Sequence, residues 1–499
     1  MSGGPLVVVG DVFLDRDLEG SVRRVAPDAP VAVVEGVTDR ARPGGAGLAA
    51  ALAARDGREV VLVAAVGADA AGDQLRGLLA AAGVELLDLG MPGDTPQKVR
   101  VRSDGHGLLR IDLADEVRPP GAPSAAVADA LAGAAAVLVP DYGRGVPASG
   151  AVRALLSAAV RRTPVVWDPH PRGATPVDGI RLGTPNQSEA AGLVPEVPGS
   201  GLPAATGRAR ALRERWGATA VSVTLGERGA LVVMADGAPL VVPAVAARSG
   251  DPCGAGDCFA AAAAGALAEG ALVSEAVASA VAAASAFVAA GGAARVDLTR
   301  RRSAASTRPA RHPSDEDGPT SLVSSRKMEG PSTAGSWQTG GGAGGGAGTA
   351  DETVAAVRAR GGTVVATGGC FDLLHAGHVA YLEAARSLGD CLVVCLNSDA
   401  STRRLKGAGR PLVPQHDRAA VLRSLSCVDA VAIFDEDTPL AILDRLRPDV
   451  FAKGGDYALS DLPEADLLAS WGGQAVVLPY LDGRSTTALM KEAVRRANH

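Results

Sequence analysis

Between Leu6 and about Leu298 the chain alternates apolar runs with Ala- and Leu-rich stretches of helical spacing. The runs are LVVVGDV at 6–12, VVLVAAVG at 60–67, AVLVPDY at 136–142, PVVWDPH at 164–170 and AVSVTLG at 220–226. They predict strands, and the stretches 47–54, 124–134 and 151–161 predict helices between them. Strand and helix in alternation imply parallel strands covered by helices on both faces, so 1–298 reads as a layered α/β domain. At 299–350 the apolar periodicity stops, and Gly, Ser and Pro mixed with charge take over. Such a stretch buries too little surface to offset its ordering entropy, which predicts a flexible linker whose Gly-rich end is the most coil-like. Arg300, Arg301 and Arg302 read as part of its solvated tail. Periodicity returns with a helix at 351–360, a strand at 363–367, a Gly-rich loop and a helix from about 377. Further strands are predicted at 391–396, 430–434, 450–453 and 475–478, making 351–499 a second, smaller α/β unit.

Composition narrows the function. Of 499 residues, 47% are hydrophobic and 21% charged, which excludes whole-chain disorder. Aromatics are only 3%, so the cores must be built from Ala, Val and Leu. A net charge of −6 argues against a general nucleic-acid binder but leaves small phosphorylated ligands open. The six cysteines form no CxxC pair and have no zinc-ligand spacing, as expected of reduced thiols in a cytoplasmic protein. The N-terminus lacks a basic n-region and reads as a first strand, not a signal peptide. The uncharged stretch 276–294 is mostly Ala, Gly and Ser, too weakly apolar for a membrane span, and predicts a helix packed tightly on a sheet.

Chemistry concentrates first at Asp251-Pro252-Cys253-Gly254-Ala255-Gly256-Asp257, directly before an Ala-rich helix. Glycines at a helix start let backbone N–H groups face a phosphate, and the helix dipole adds positive potential there. Asp257 is placed to take a proton from an attacking hydroxyl. An anion cradle beside a positioned base is what phosphoryl transfer needs, although a Gly-rich turn capped by an Asp has the same letters. Asp11 and Asp15 follow the first strand, and Gly44 and Gly45 precede a helix. Ligands in open α/β sheets bind beyond the carboxyl ends of strands, so these carboxylates and this bare backbone suit sugar hydroxyls. Asn186, Gln187, Ser188 and Glu189 follow another strand end. An amide and a carboxylate three residues apart suit a hydrated Mg²⁺, and equally a surface cap.

GDV at 10–12, PGG at 43–45, TPNQSE at 184–189 and GAGD at 254–257 together resemble the ribokinase-like carbohydrate kinases over nearly all of 1–298. GDVFLDRDLEGSVRRVAPDAPVAVV and DYGRG (141–145) are similar to the kinase half of the bifunctional heptose-phosphate enzymes in particular. The resemblance implies transfer of the ATP γ-phosphoryl to the anomeric hydroxyl of D-glycero-β-D-manno-heptose 7-phosphate. It implies Asp257 as the base, Gly254, Ala255 and Gly256 in the anion hole, and Asn186 to Glu189 as the ATP segment, with Glu189 reaching Mg²⁺ indirectly. Asp11, Asp15, Gly44 and Gly45 would surround the sugar. Lys98, Arg100 and Arg110 are candidates for the substrate's own phosphate, though each also fits an exposed surface position. Two departures stand out. Leu48 replaces the Asn that usually follows the PGG turn, and Asp251-Pro252 replaces the usual Asp-Thr. Leucine cannot supply an amide's hydrogen bonds, which puts the sugar affinity of this half in question.

In the second unit, Thr367-Gly368-Gly369-Cys370-Phe371-Asp372-Leu373-Leu374-His375-Ala376-Gly377-His378 leaves a strand and enters a helix. Two imidazoles three residues apart suit a triphosphate and the charge that builds on a pentavalent α-phosphorus. Zinc binding by His375 and His378 is the weaker reading, since no third ligand accompanies them. The HxGH pattern resembles the nucleotidyltransferase superfamily, glycerol-3-phosphate cytidylyltransferase and its relatives among them. NSDASTRRLKG and KGGDY are similar to heptose 1-phosphate adenylyltransferases. The nucleotide and phosphate candidates are then Gly369, Phe371, Asp372, Lys406, Arg418, Lys453, Gly455, Asp456, Ser485, Thr486 and Thr487. Only five lysines occur in the whole chain, and two of them, Lys406 and Lys453, lie in these motifs.

Read together, the two halves imply a ribokinase-like layered α/β domain followed by a smaller Rossmann-like nucleotidyltransferase domain. The first would make heptose 1,7-bisphosphate, and the second would join heptose 1-phosphate to AMP, releasing pyrophosphate. Mg²⁺ with ATP is the expected cofactor. A separate phosphatase must act between the steps, and a homodimer without nucleic-acid or membrane partners is expected. The alternatives are a kinase for another sugar fused to a cytidylyl- or guanylyltransferase, and a first domain that only binds.

Overall fold

The computed structural model of the chain describes residues 3–103, 106–235, 237–244, 250–300, 349–455 and 462–479. The expected linker falls almost wholly outside the described residues, as do Asp456, Ser485, Thr486 and Thr487.

The predicted strands form, and they form one sheet. From edge to edge its strands are Ala430–Phe434, Cys391–Asn397, Val364–Gly369, Val450–Gly454, Gln474–Leu478, Leu240–Val242, Ala230–Val233, Ala220–Thr224, Leu182–Gly183, Val165–Asp168, Ala136–Pro140, Leu6–Val9, Val60–Ala64 and Glu85–Asp88. Ala230–Val233 alone runs against its neighbours. The uninterrupted apolar runs follow from burial on both faces. In Leu6–Val9 all four residues are buried, Leu6 and Val8 into one core and Val7 and Val9 into the other. Alanine-rich helices suit the first of these cores, because small side chains let backbones approach closely. Helices Ala46–Arg55, Ala255–Ala268 and Val273–Ala289 all pack there. The uncharged stretch near 276–294 is the last of them, seated on Ala255–Ala268 as well as on the sheet. Among the described residues no helix is long and apolar enough to cross a membrane.

The two halves meet edge to edge. Leu240 pairs with Val477, whose N–H donates to Pro239 O at 3.1 Å, and Gln474 Nε2 donates to Thr206 Oγ1 at 2.8 Å. Ala238, Leu462, Ala475 and Val477 close a small apolar cluster at this seam.

A second sheet has no counterpart in the sequence reading. Ala32–Gly45, Val12–Val25, Gln97–Ser103 and His106–Leu113 form a four-stranded sheet beside the first half. Gln97–Ser103 carries charge on alternate positions, at Lys98, Arg100 and Arg102, which is a strand period of two. Asp15 and Asp17 on one strand face Lys98 and Arg100 on the next in register. The sheet brings these side chains over the carboxyl ends of Leu6–Val9 and Ala136–Pro140.

Candidate active sites

In the first half, the site is assembled at the ends of parallel strands. Gly254, at φ +81°, is the N-cap of Ala255–Ala268. A Cβ there would stand 2.8 Å from Leu48 Cδ2, so both the backbone and the packing require glycine. Ala255 N–H is used by Pro252 O at 3.0 Å, which closes the turn and accommodates the proline. Gly256 and Asp257 present the next two N–H groups, which have no intrahelical partner. Asp257 is buried, and burial above all pushes its carboxyl up to about 7. A hydrogen bond from Tyr142 and the charge of Lys98 oppose the rise, whereas Asp15 and Glu189 add to it.

Asp11 takes a different part from the one expected. Its Oδ2 accepts the N–H groups of Tyr142 (3.1 Å) and Arg144 (2.9 Å), and its Oδ1 that of Val146 (2.9 Å). It fixes the 142–146 loop through these three bonds. Gly45, at φ +60°, is bare because a Cβ would lie 2.5 Å from Asp11 O and 2.8 Å from the Phe13 ring. A Cβ on Gly44 would overlap the same ring, at 2.3 Å. Both glycines therefore serve packing around Phe13. Lys98 Nζ lies 3.8 Å from the centre of that ring, and burial lowers its pKa.

Asp15 is buried against Arg100 (2.5 Å) and Arg42 (3.5 Å). Arg100, Arg102, Arg110, Asp251 and Cys253 line a cavity of about 440 Å³ that adjoins the GAGD turn. Arg102, absent from the sequence candidates, binds Asp251 at 2.8 Å; the alternation that puts Lys98 and Arg100 on this face was the signal for it. Arg110 pairs with Asp112 at 2.9 Å and is the most exposed of the three arginines.

Asn186 caps the helix Gln187–Leu193: its Oδ1 accepts Glu189 N–H (2.9 Å), while Glu189 Oε2 accepts Asn186 N–H (2.8 Å). Gln187 Oε1 lies 3.4 Å from Arg228, and Ser188 is exposed. The sequence reading missed Asp168, at the end of Val165–Asp168. Its carboxyl is pushed well above the usual range by burial, then by the charges of Glu189 and Asp257. Two carboxylates raised this way suit a dication. Among the described residues no trio of acidic, His or Cys side chains makes a metal cage. The two carboxylates fit a hydrated Mg²⁺, an ion that gives up its water reluctantly.

Leu48 is 2% exposed within an apolar cluster of Leu52, Cys258, Phe287 and Ala293, beneath the Gly254 turn.

In the second half, His375 and His378 come together with ring centres 3.9 Å apart. His378 Nδ1 accepts the N–H of His375 at 3.3 Å, leaving Nε2 as the protonated, donating nitrogen. Burial first, and His375 second, lower its pKa to about 4, so the ring is neutral at physiological pH. Phe371, at φ +44°, packs its ring 5.6 Å from His378. Gly369 ends the strand Val364–Gly369 just before this loop. Lys406 is exposed at the last turn of Asp399–Lys406, Lys453 lies 3.3 Å from Glu464, and Gly455 donates its N–H to Leu478 O at 3.2 Å.

Two candidates hold the loops instead of facing them. Asp372 accepts from Leu412 N–H (2.7 Å), Val413 N–H (3.0 Å) and Arg410. Arg418 is 1% exposed, and its guanidinium donates to Val413 O, Cys370 O, Asn397 O and Asp399 Oδ1. Four of its five N–H donors are occupied in this way. Its place in a helix opening after Pro414 gave no sequence signal of that depth.

The family model described as pfkB family carbohydrate kinase matches residues 5–300, and the one described as cytidylyltransferase-like matches residues 366–477. The bifunctional protein HldE of Streptomyces coelicolor is 55% identical, over 99% of this chain and 97% of that protein. Those of Azorhizobium caulinodans (38%, covering 98% of each) and Caulobacter vibrioides (36%, covering 98% of this chain and 96% of that one) are also similar throughout. The chain is a bifunctional transferase, a carbohydrate kinase followed by a nucleotidyltransferase, and it belongs to the HldE family.

Proposed function

We propose that residues 1–298 phosphorylate D-glycero-β-D-manno-heptose 7-phosphate at C1, that residues 351–499 convert heptose 1-phosphate and ATP to ADP-heptose, and that 299–350 is the linker. The observation that carries the first half is Asp257: a buried carboxyl with a pKa near 7, at a glycine-opened helix N-terminus, beside a cavity lined by three arginines. The cavity suits the substrate's own phosphate. Asp257 takes the proton of the anomeric hydroxyl as its oxygen bonds to the γ-phosphorus; the bond to the β-bridging oxygen breaks and ADP leaves. The N–H groups of Gly256 and Asp257 face the charge that develops. Glu189 and Asp168 are the residues that would hold Mg²⁺, which when bound would neutralise charge on the polyphosphate.

In the second half a phosphate oxygen of heptose 1-phosphate attacks the α-phosphorus of ATP and pyrophosphate departs. His378, neutral and donating through Nε2, stabilises the pentavalent centre without having to be protonated. The bisphosphate made first must lose its 7-phosphate before this step, which calls for a separate phosphatase.

A homodimer fits the four-stranded sheet. Leu108, Leu109, Ile111 and Leu113 on its edge strand, with Val25 and Val37 beyond, are all exposed. So many large apolar side chains on one sheet suit a second copy of the chain. The six cysteines are all free thiols, in keeping with a reducing cytoplasm.

The test uses substrate panels. Sugar 7-phosphates should be turned over with ATP, unphosphorylated sugars should not, and only ATP among the four nucleoside triphosphates should release pyrophosphate with heptose 1-phosphate. Equal use of an unphosphorylated sugar, or preference for CTP or GTP, would overturn the assignment of that half.

A further inference from the structure

The DYGRG motif leaves one side chain whose place in the kinase half is unassigned. Tyr142 follows directly on the strand Ala136–Pro140 and its neighbour Asp141, and its phenol lies part-buried beside the proposed base. Its hydroxyl donates to Asp257 Oδ1 at 2.8 Å. Among the described residues Oδ2 of Asp257 accepts no hydrogen bond, so the two oxygens are unlike.

The ring that carries this hydroxyl is fixed from several sides. Phe13 meets it edge-on, with centroids 5.3 Å apart and planes at 78°. A Cβ on Gly45 would come within 3.2 Å of it, so the bare glycine makes room for the ring. Asp11 holds the backbone N–H of Tyr142 itself, and those of Arg144 and Val146 beyond it. Asp141 accepts the N–H groups of Gly143 (2.8 Å) and Ala174 (2.6 Å). A loop bound at four N–H groups by two carboxylates, one of which also ties it to Ala174, leaves its phenol little freedom.

We propose that Tyr142 is a positioning residue for the general base: it engages Oδ1 of Asp257 so that Oδ2 faces the hydroxyl to be phosphorylated. This rests on Asp257 being the base. The phenol stays protonated and donating, because burial and the charges of Asp257 and Asp168 push its own ionisation far above the usual range. A donor at Oδ1 also favours the ionised carboxylate, the form that accepts the substrate proton. The other groups facing Asp257 are Asp15 and Lys98 from the four-stranded sheet, Glu189 from the helix Gln187–Leu193, and Asp168 at its strand end. The acids disfavour the carboxylate and Lys98 favours it.

The experiment is the pH profile of kcat/KM for the kinase reaction in the full-length chain, for wild type, Tyr142→Phe and Asp257→Asn. Phenylalanine keeps the ring and its packing on Phe13 and removes only the hydroxyl. A hydrogen bond to a charged group corresponds to about one to two pH units, or roughly ten- to a hundredfold in rate on the acid side. Tyr142→Phe should therefore move the acid limb upward by that amount and recover most of the wild-type rate on the alkaline plateau. KM for ATP should be unchanged. A uniform loss at all pH values with the limb in place would show a merely structural role and overturn the proposal. Substantial kinase turnover by Asp257→Asn would instead overturn the identification of the base. Should Tyr142→Phe lose turnover altogether, the infrared band of the protonated Asp257 carboxyl, assigned by its absence in Asp257→Asn, reads the same ionisation without catalysis. An unchanged midpoint for that band in Tyr142→Phe would refute the proposal.

Discussion

Asp257 is costly to keep charged, and Asp257→Asn should stabilise the kinase half while abolishing its activity. Burial above all pushes its carboxyl up to about 7 in the folded chain, from an ordinary value of 3.8. The folded state therefore holds a proton between these values that the unfolded state has already released. Unfolding is favoured increasingly as pH rises through that window, and the whole penalty is present above pH 7. Three units correspond to about 4 kcal/mol, an upper bound because neighbouring acids share the effect. The asparagine carries no charge and keeps an oxygen for Tyr142. Its advantage over wild type should grow by about 3 kcal/mol between pH 5 and pH 8. Denaturant melts of both proteins across that range, followed by a probe in the kinase half, measure it. A stability difference that is flat with pH would refute the burial argument. One that shrinks as pH rises would show that the carboxylate is stabilised where it stands.

Other positions make equally definite predictions. Leu48→Asn should lower stability by about 2–4 kcal/mol, since it sets an amide among Leu52, Cys258 and Phe287, and it should not improve KM for the sugar; thermal melts with kinetics check both. Arg418→Ala removes a buried guanidinium from Asp399 and three carbonyls and should cost about 2–4 kcal/mol, whereas Lys406→Ala should leave stability within about 0.5 kcal/mol. Nucleotidyl transfer should show no limb from His378 between pH 5 and pH 8, because that ring is already neutral; an NMR titration of its ring protons should find a midpoint near 4. Cleavage within 301–348 should leave both activities intact and the halves co-eluting, held by the Leu240–Val477 edge. Arg substituted at Ala238 should separate the cleaved halves.

The parallel sheet was legible because strands buried on both faces write long apolar runs, such as LVVV at Leu6–Val9. The four-stranded sheet was not, because three of its strands mix charged residues with Gly or Pro, without a clean period of two. With it went Arg102 and the reason for Lys98. The motif residues Asp257, Glu189, His375 and His378 lie where a strand-to-helix reading put them. Long-range partners were illegible: nothing near Asp11 says that it holds a loop 131 residues away, and nothing near Tyr142 says that its hydroxyl meets Asp257. The surroundings of Leu48 were illegible for a related reason: Cys258 and Phe287, which share its cluster, come from helices more than 200 residues later.

The central claim is one chain with two transfers in a fixed order. Mass spectrometry of the full-length protein with heptose 7-phosphate and ATP tests it, with and without an added bisphosphate phosphatase. Heptose 1,7-bisphosphate alone without the phosphatase, and ADP-heptose only with it, is the result predicted. Adenylylation of supplied heptose 1-phosphate with no bisphosphate formed under any condition would contradict the kinase assignment.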